Sequence, residues 1–248
     1  MLETVVALLA AHVLADFLLQ FGWILRNKRR LGFFVLHVAI VLTTLLLVLG
    51  IDPREHWGLV GLITLSHAGL DAIKTFAFDR DWVRARPRVD FALFSADQLG
   101  HVAFIALAAW IWPGAFADGA WAQALGPAAT DYVALLAVAT GFVIATRTGE
   151  FLIMIFMSRF ELPAGDDPGL ESGGAWIGLL ERALVFGFVL AGQVTAIGFL
   201  IAAKSVLRFR YASERSISEY VIIGTLASFG WAIGVALLTA AALQRLAV

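Results

Sequence analysis

Apolar runs close to twenty residues long recur from one end of this chain to the other, and that recurrence leaves few architectures open. At 1.5 Å of rise per residue, about 20 residues of α-helix cross the roughly 30 Å hydrocarbon core of a bilayer. Lipid offers no partner for backbone N–H and C=O groups, so such runs cross as helices with all their bonds internal. Charged residues make up only 15% of the 248, against about a quarter in soluble domains. The fold class is therefore all-α, a polytopic transmembrane bundle of about seven spans. They fall at roughly 2–22, 32–50, 57–78, 92–112, 130–157, 178–204 and 218–244.

The distribution of charge orients the spans. The linkers "RNKRR" (26–30) and "DRDWVRARPRVD" (79–90) concentrate Arg and Lys, whereas "IDPREH" (51–56) has one Arg and 113–129 has none. Positive-inside bias places loops one and three in the cytoplasm and the N-terminus outside. The second half fits this alternation less well, because the basic "KSVLRFRYASER" (204–215) would fall outside. The expected culprit is "ATRTGEFLIMIFMSRF" (145–160), where Arg147 and Glu150 interrupt the apolar run and the chain could turn back or lie in the interface. The loop-like "ELPAGDDPGLESGG" (161–174) follows it. Two units are expected: 1–112, a four-helix transmembrane unit, and 130–248, a C-terminal unit of two to four helical segments.

Zero cysteines exclude disulfides and thiolate-bound metals. Glu3 stands where a cleavable signal would be basic. P-loop, GxSxG, HExxH and dinucleotide fingerprints are missing from the sequence, and a net charge of −1 argues against a nucleic-acid partner.

Ionisable groups inside the spans carry the chemistry. Three of the five histidines have an aspartate four positions away: His12–Asp16, His67–Asp71 and Asp97–His101. That spacing sets both side chains on one helix face. Spans one and three run inward and read His then Asp, while span four runs outward and reads Asp then His. Reversing helix and motif together keeps the groups level, with each Asp roughly 8–10 Å from the cytoplasmic end and each His one turn deeper. His37 in span two falls at the Asp level and is a possible additional ligand, although taken alone it reads as a residue reaching for the interface.

Three neighbouring carboxylates without a cation would repel one another, and a divalent metal relieves that. Mixed imidazole and carboxylate donors suit zinc first, with manganese or iron(II) as alternatives, in a mono- or dinuclear centre. Such a centre supplies a nucleophile at neutral pH and polarises a phosphoryl or acyl oxygen. Gln20, Lys74 and Gln98 stand close by as catalytic or orienting groups. Lys74, Arg26 and Lys28 together form a basic rim suited to an anionic head group. The plainer explanation for any single pair is a helix-packing hydrogen bond. Three pairs at matched depth favour function.

In the second half, Glu181 and Arg182 at one end of span six and Lys204 at the other read as interface anchors. Gly187, Gly192 and Gly198 suggest close helix packing.

The segments "HVLADFLLQ" with "NKRR", "HAGLDAIK", "DQLGH" and the tail "LER…AIGFLIAAKSVLRF…EYVIIGT" resemble an uncharacterised bacterial integral-membrane family, domain-of-unknown-function family 3307, over nearly the whole chain. The resemblance implies that His12, Asp16, Gln20, His67, Asp71, Lys74, Asp97, Gln98 and His101 occupy motif positions; it supplies no activity. The favoured expectation is a metal-dependent hydrolase or transferase in the bacterial inner membrane, acting on a lipid-linked or phosphate-bearing substrate at the cytoplasmic leaflet. A divalent-cation or proton transporter using the same residues is the alternative, and a sensor or scaffold with a structural polar layer the third.

Overall fold

The computed structural model describes residues 1–78, 80–160, 172–209 and 215–246, and among them every regular element is helical. Among the described residues, five helices, not the expected seven, are long and apolar enough to cross a membrane: Leu31–Leu49, Pro87–Ile111, the continuous stretch Ala120–Met157, Gly173–Leu190 and Ser216–Leu246; the stretches expected at 2–22 and 57–78 hold shorter helices. Large apolar side chains such as Leu47, Leu65, Leu99, Trp110 and Leu135 are exposed along these and neighbouring helices. Such surface needs lipid rather than water around it.

The chain divides into two compact units, Met1–Thr140 with Ala242–Val248, and Gly141–Ala241. In the first, α1 (Leu2–Val13) runs on through one wider, π-type turn at Leu14–Leu18. Short α2 (Gly22–Asn27) precedes α3 (Leu31–Leu49). Next comes α4 (Trp57–Ala72), which also ends in a π turn, Ile73–Ala77. After α5 (Arg80–Arg84), α6 (Pro87–Ile111) starts on Pro87, whose missing N–H costs nothing at a first helical turn. Helix α6 thus begins five residues before the expected 92. Helices α1, α3, α4 and α6 pack together, and Gly100 permits the α4–α6 approach: a Cβ there would stand 3.0 Å from Leu70 Cδ1.

The apolar core of this unit includes Leu8, Leu45, Leu49, Leu59, Ile105 and Ala108. One end of it is capped by the 113–125 segment, which contains α7 (Ala120–Leu125). The Thr4 hydroxyl donates to the Pro113 carbonyl at 2.8 Å, Trp121 Nε1 to the Leu47 carbonyl, and Ala120 N–H to the Gly50 carbonyl at 2.8 Å. Phe116 is fully buried beneath this cap.

Helix α8 (Ala129–Val143) continues through a third π turn, Ile144–Thr148, into α9 (Gly149–Met157). The chain therefore does not break at Arg147 and Glu150, contrary to the expectation. Arg147 Nη1 donates to Glu150 Oε2 at 3.3 Å, so the two charges satisfy each other without interrupting the helix.

The break falls later. The expected span 178–204 is two helices, α10 (Gly173–Leu190) and α11 (Val194–Phe209). At Gly192 the backbone turns left-handed (φ 70°), and Gln193 N–H bonds back to the Phe188 carbonyl at 2.8 Å. Only glycine adopts that conformation without steric cost. The last helix, α12, is Arg215–Leu246. Of the loop-like 161–174, residues 161–171 lie outside the described residues, as do 210–214 of the basic segment.

Candidate metal centre

Four helices of the first unit bring seven ionisable side chains to one place: His12 and Asp16 from α1 and its π turn, His37 from α3, His67 and Asp71 from α4, and Asp97 and His101 from α6. Helices α1 and α4 reach it with their C-terminal ends and α3 with its second turn, which is the antiparallel register their motifs require. All but Asp16 are buried, and His37 is wholly inaccessible. His37 is no interface residue. It lies between the α1 and α4 motifs, because a buried imidazole there meets acids on both sides.

The contacts are short. His37 Nε2 lies 3.4 Å from Asp16 Oδ1, 3.0 Å from Asp71 Oδ2 and 3.2 Å from His67 Nε2. His67 Nε2 is 3.3 Å from Asp16 Oδ1 and 3.4 Å from Asp71 Oδ2. The rings of His12 and His101 approach to 4.8 Å between centroids, and those of His67 and His101 to 4.3 Å. His101 Nε2 stands 3.5 Å from Asp97 Oδ1.

Three sets of donor atoms are compact enough to share an ion, each within 4.8 Å: His12, His67 and His101; Asp16, His37 and His67; and Asp71, Asp97 and His101. The second set has three short edges. Its atoms Asp16 Oδ1, His37 Nε2 and His67 Nε2 form a triangle with edges of 3.2, 3.3 and 3.4 Å. Ligand atoms at about 2.0–2.1 Å from one tetrahedral ion stand roughly 3.3–3.4 Å apart, while octahedral neighbours stand nearer 3.0 Å. The triangle's edges match the tetrahedral case, and Asp71 Oδ2 stands beside it, 3.0 Å from His37 Nε2 and 3.4 Å from His67 Nε2.

Unsatisfied atoms point the same way. His12 Nδ1, Asp16 Oδ1, Asp71 Oδ2, Asp97 Oδ1 and His101 Nε2 are buried without a hydrogen-bond partner, although Lys28 Nζ lies against Asp71 Oδ2 as an ion pair. A buried polar atom left unpaired costs about 1–3 kcal/mol, so several in one cluster call for a common partner.

The motif residues around this cluster hold its members. Gln20 lies beyond the π turn of α1, and its Nε2 stands 3.2 Å from His37 Nδ1. The helix has ended by then, so Gln20 reaches the centre from a bend instead of from the face shared by residues 12 and 16. Gln98 Nε2 donates to Asp97 Oδ2 at 3.0 Å, and Lys74 Nζ to the same oxygen at 2.7 Å.

Lys28 departs from the expected rim. It is buried, and its Nζ lies 2.6 Å from Asp71 Oδ2. The neighbouring Arg29 donates to the carbonyls of Thr75 and Phe78. There it caps the electronegative C-terminal end of the α4 π turn and pins the 26–30 linker across the mouth. Beyond the imidazoles, toward the capped end, lies a small cavity of about 20 Å³, lined by Leu8, Val41, Leu45, Ile63, Phe104 and Ile105 with His12, His67 and His101 at its polar end. That volume suits about one water molecule.

The second unit has polar groups of its own. Glu181 and Arg182 are buried in α10, and Lys204 of α11 pairs with Glu181 at 2.6 Å. These residues are not anchors at opposite interfaces, because the hairpin at 191–193 folds them to the same level. Arg182 Nε donates to the Thr146 carbonyl and its Nη1 to Ser228 Oγ, each at 3.3 Å. Nor do Gly187 and Gly198 mark close packing, since a Cβ at either meets nothing within 4 Å; the close approaches are at Gly141 and Gly149.

Among known protein families, one matches the chain, over residues 4–122: "Protein of unknown function (DUF3307)". The matched stretch contains all seven clustered residues and stops before the tail. No curated protein and no solved structure matches the chain.

Proposed function

We propose that the segment 4–122, which matches the family of proteins of unknown function DUF3307, is a membrane-embedded metal-dependent hydrolase or transferase. The observation that carries this reading is the triangle of Asp16 Oδ1, His37 Nε2 and His67 Nε2, set among buried donor atoms that have no other partner. Zinc suits the donor types and the tetrahedral edge lengths, with manganese or iron as the alternatives. When bound, the ion supplies Lewis acidity and a nucleophile at neutral pH. The protein's part is to hold and orient. Gln20 fixes the His37 ring, and Lys74 and Gln98 fix the Asp97 carboxylate. The Lys74 ammonium and the basic 26–30 linker then favour a phosphate-bearing or lipid-linked substrate drawn from the adjacent leaflet.

The interior of the same unit argues for chemistry over passage. Between the imidazoles and the capped end the core is apolar, from Leu8 and Leu45 to Leu49 and Phe116. A cation or proton path lines both halves of its route with polar groups. Residues His12 to His101 offer them in one half only.

The α10–α11 hairpin also supports a threading that keeps the charge alternation. Counting it as two crossings gives eight spans, with the basic 204–215 segment inside and both chain ends outside. On this reading the site faces the cytoplasmic side of a bacterial inner membrane.

Metal content tests the proposal. Protein purified in mild detergent is expected to carry about one zinc per chain, and His37→Ala or Asp16→Asn to lose at least about tenfold in affinity. His56→Ala, outside the cluster, is expected to keep its metal. Preparations without metal, or equal content in all variants, would remove the basis for a metal-dependent reaction.

A further inference from the structure

We propose that Asp71, Asp97 and His101 form a second divalent-cation position, held closed by the ammonium groups of Lys28 and Lys74 until a second ion displaces them. This rests on the metal-centre reading and specifies how that centre is loaded. The three residues are buried, and their donor atoms lie within 4.8 Å of one another. Asp97 Oδ1 and His101 Nε2 stand 3.5 Å apart, and neither has a hydrogen-bond partner. That separation is close to the roughly 3.4 Å expected of two ligands on one tetrahedral ion.

What distinguishes this position from the triangle beside it is its lysines. Lys28 Nζ reaches Asp71 Oδ2 at 2.6 Å and Lys74 Nζ reaches Asp97 Oδ2 at 2.7 Å, whereas among the described residues no lysine pairs with Asp16; Asp71 Oδ2 borders both positions, 3.0 Å from His37 Nε2. Each acid of the second position thus already has a positive charge against it. A buried ammonium is costly unless paired, so Lys28 gains from this arrangement as much as Asp71 does.

The sum of charges makes lysine and metal exclusive. With the imidazoles counted as neutral ligands, three aspartates against two ammoniums leave the cluster one positive charge short of neutral. A single divalent ion on the triangle already tips it positive. A second ion beside it, with both lysines still seated, would crowd four positive centres into a poorly screened interior. The lysines must then leave, and their positions allow it. Lys28 sits in the linker between α2 and α3, and Lys74 in the α4 π turn with 39% of its side chain exposed, so both withdraw toward the mouth without crossing the core. Two freed ammoniums at that mouth suit an oxyanion, so second-ion loading and phosphate binding should reinforce each other.

The test is a count of ions. Full-length protein in mild detergent, stripped of metal, is titrated with Co²⁺ and bound metal is measured after equilibrium dialysis. Wild type is expected to take one ion tightly and a second only at a concentration about tenfold or more higher. Lys28→Met/Lys74→Met is expected to take both in one step. Two ions of equal affinity in wild type, or one ion in both proteins, overturn the lysine lock while leaving the triangle standing. No ion in wild type overturns the centre as a whole. If the double variant does not fold, wild type alone decides. Amine labelling of Lys28 and Lys74, read by mass spectrometry, is expected to stay slow through the first equivalent and to accelerate with the second. Labelling unchanged up to saturating Co²⁺ contradicts the proposal.

Discussion

Arg182 is the most demanding side chain in the Gly141–Ala241 unit, a guanidinium only 3% exposed within an apolar helix. Its surroundings are cut to fit. The stem passes Gly149, the head lies over Gly178, and Nε meets a carbonyl of the Ile144–Thr148 π turn. Trp231 Nε1 takes another carbonyl of that turn, Ile144, at 2.9 Å. A π turn loosens the regular i→i−4 ladder, so side-chain donors find oxygens there that an α-helix would engage itself. Arg182→Met should therefore lower stability by about 1–3 kcal/mol, because the Thr146 oxygen loses a buried donor. Arg182→Lys should recover only part, since an ammonium lacks the planar fork. Thermal unfolding in detergent measures both, and an Arg182→Met midpoint equal to wild type would refute the clamp. His37 teaches a related lesson in the other unit. With no acid four residues away, its sequence context carries no pairing signal, and only its depth matches the aspartates; the partners come from α1 and α4.

Among elements, the α10–α11 hairpin decides how the second half is threaded. Its turn depends on Gly192 in a left-handed conformation, where any side chain with a Cβ costs about 1–2 kcal/mol. Gly192→Val is expected to lower the unfolding midpoint, whereas Gly198→Ala, with open space around its Cα, should be neutral. Equal midpoints for the two would mean that the turn is not constrained. The sequence hides this hairpin because "LAGQV" has no proline and a single glycine, so hydropathy runs straight through it. The π turns are equally silent, since one extra residue per turn leaves no compositional mark. The helices of the first unit were legible for the opposite reason, although only those at 31–49 and 87–111 reach a full crossing length. Their length follows from bilayer thickness, and the His–Asp order flips with helix direction, which ties the motif to a height in the membrane. Grouping of the ligands was therefore readable from spacing, but the burial of Lys28 was not: a basic linker has reason enough to be basic at a cytoplasmic surface.

At the level of the whole molecule, the proposed eight crossings make a prediction that single thiols can check. The chain has no cysteine, so each one introduced is the sole labelling site. In intact cells, Arg54→Cys and Gln193→Cys should react with an impermeant maleimide, while Asn27→Cys and Ser172→Cys should react only after the membrane is opened. Labelling of Ser172→Cys from outside would refute the threading. Arg29 adds a constraint of another kind, since it ties the first linker to carbonyls of Thr75 and Phe78. During synthesis that tie has no anchor until the third span has left the translocon, and the donor set is incomplete until His101 has followed. A nascent hairpin of α1 and α3 would have only a fragment of the cage to offer a passing ion. On the proposed reading, metal loading must wait on the ribosome: a chain truncated before α4 would lack His67 and with it a corner of the triangle, and one truncated before α6 would lack the second position.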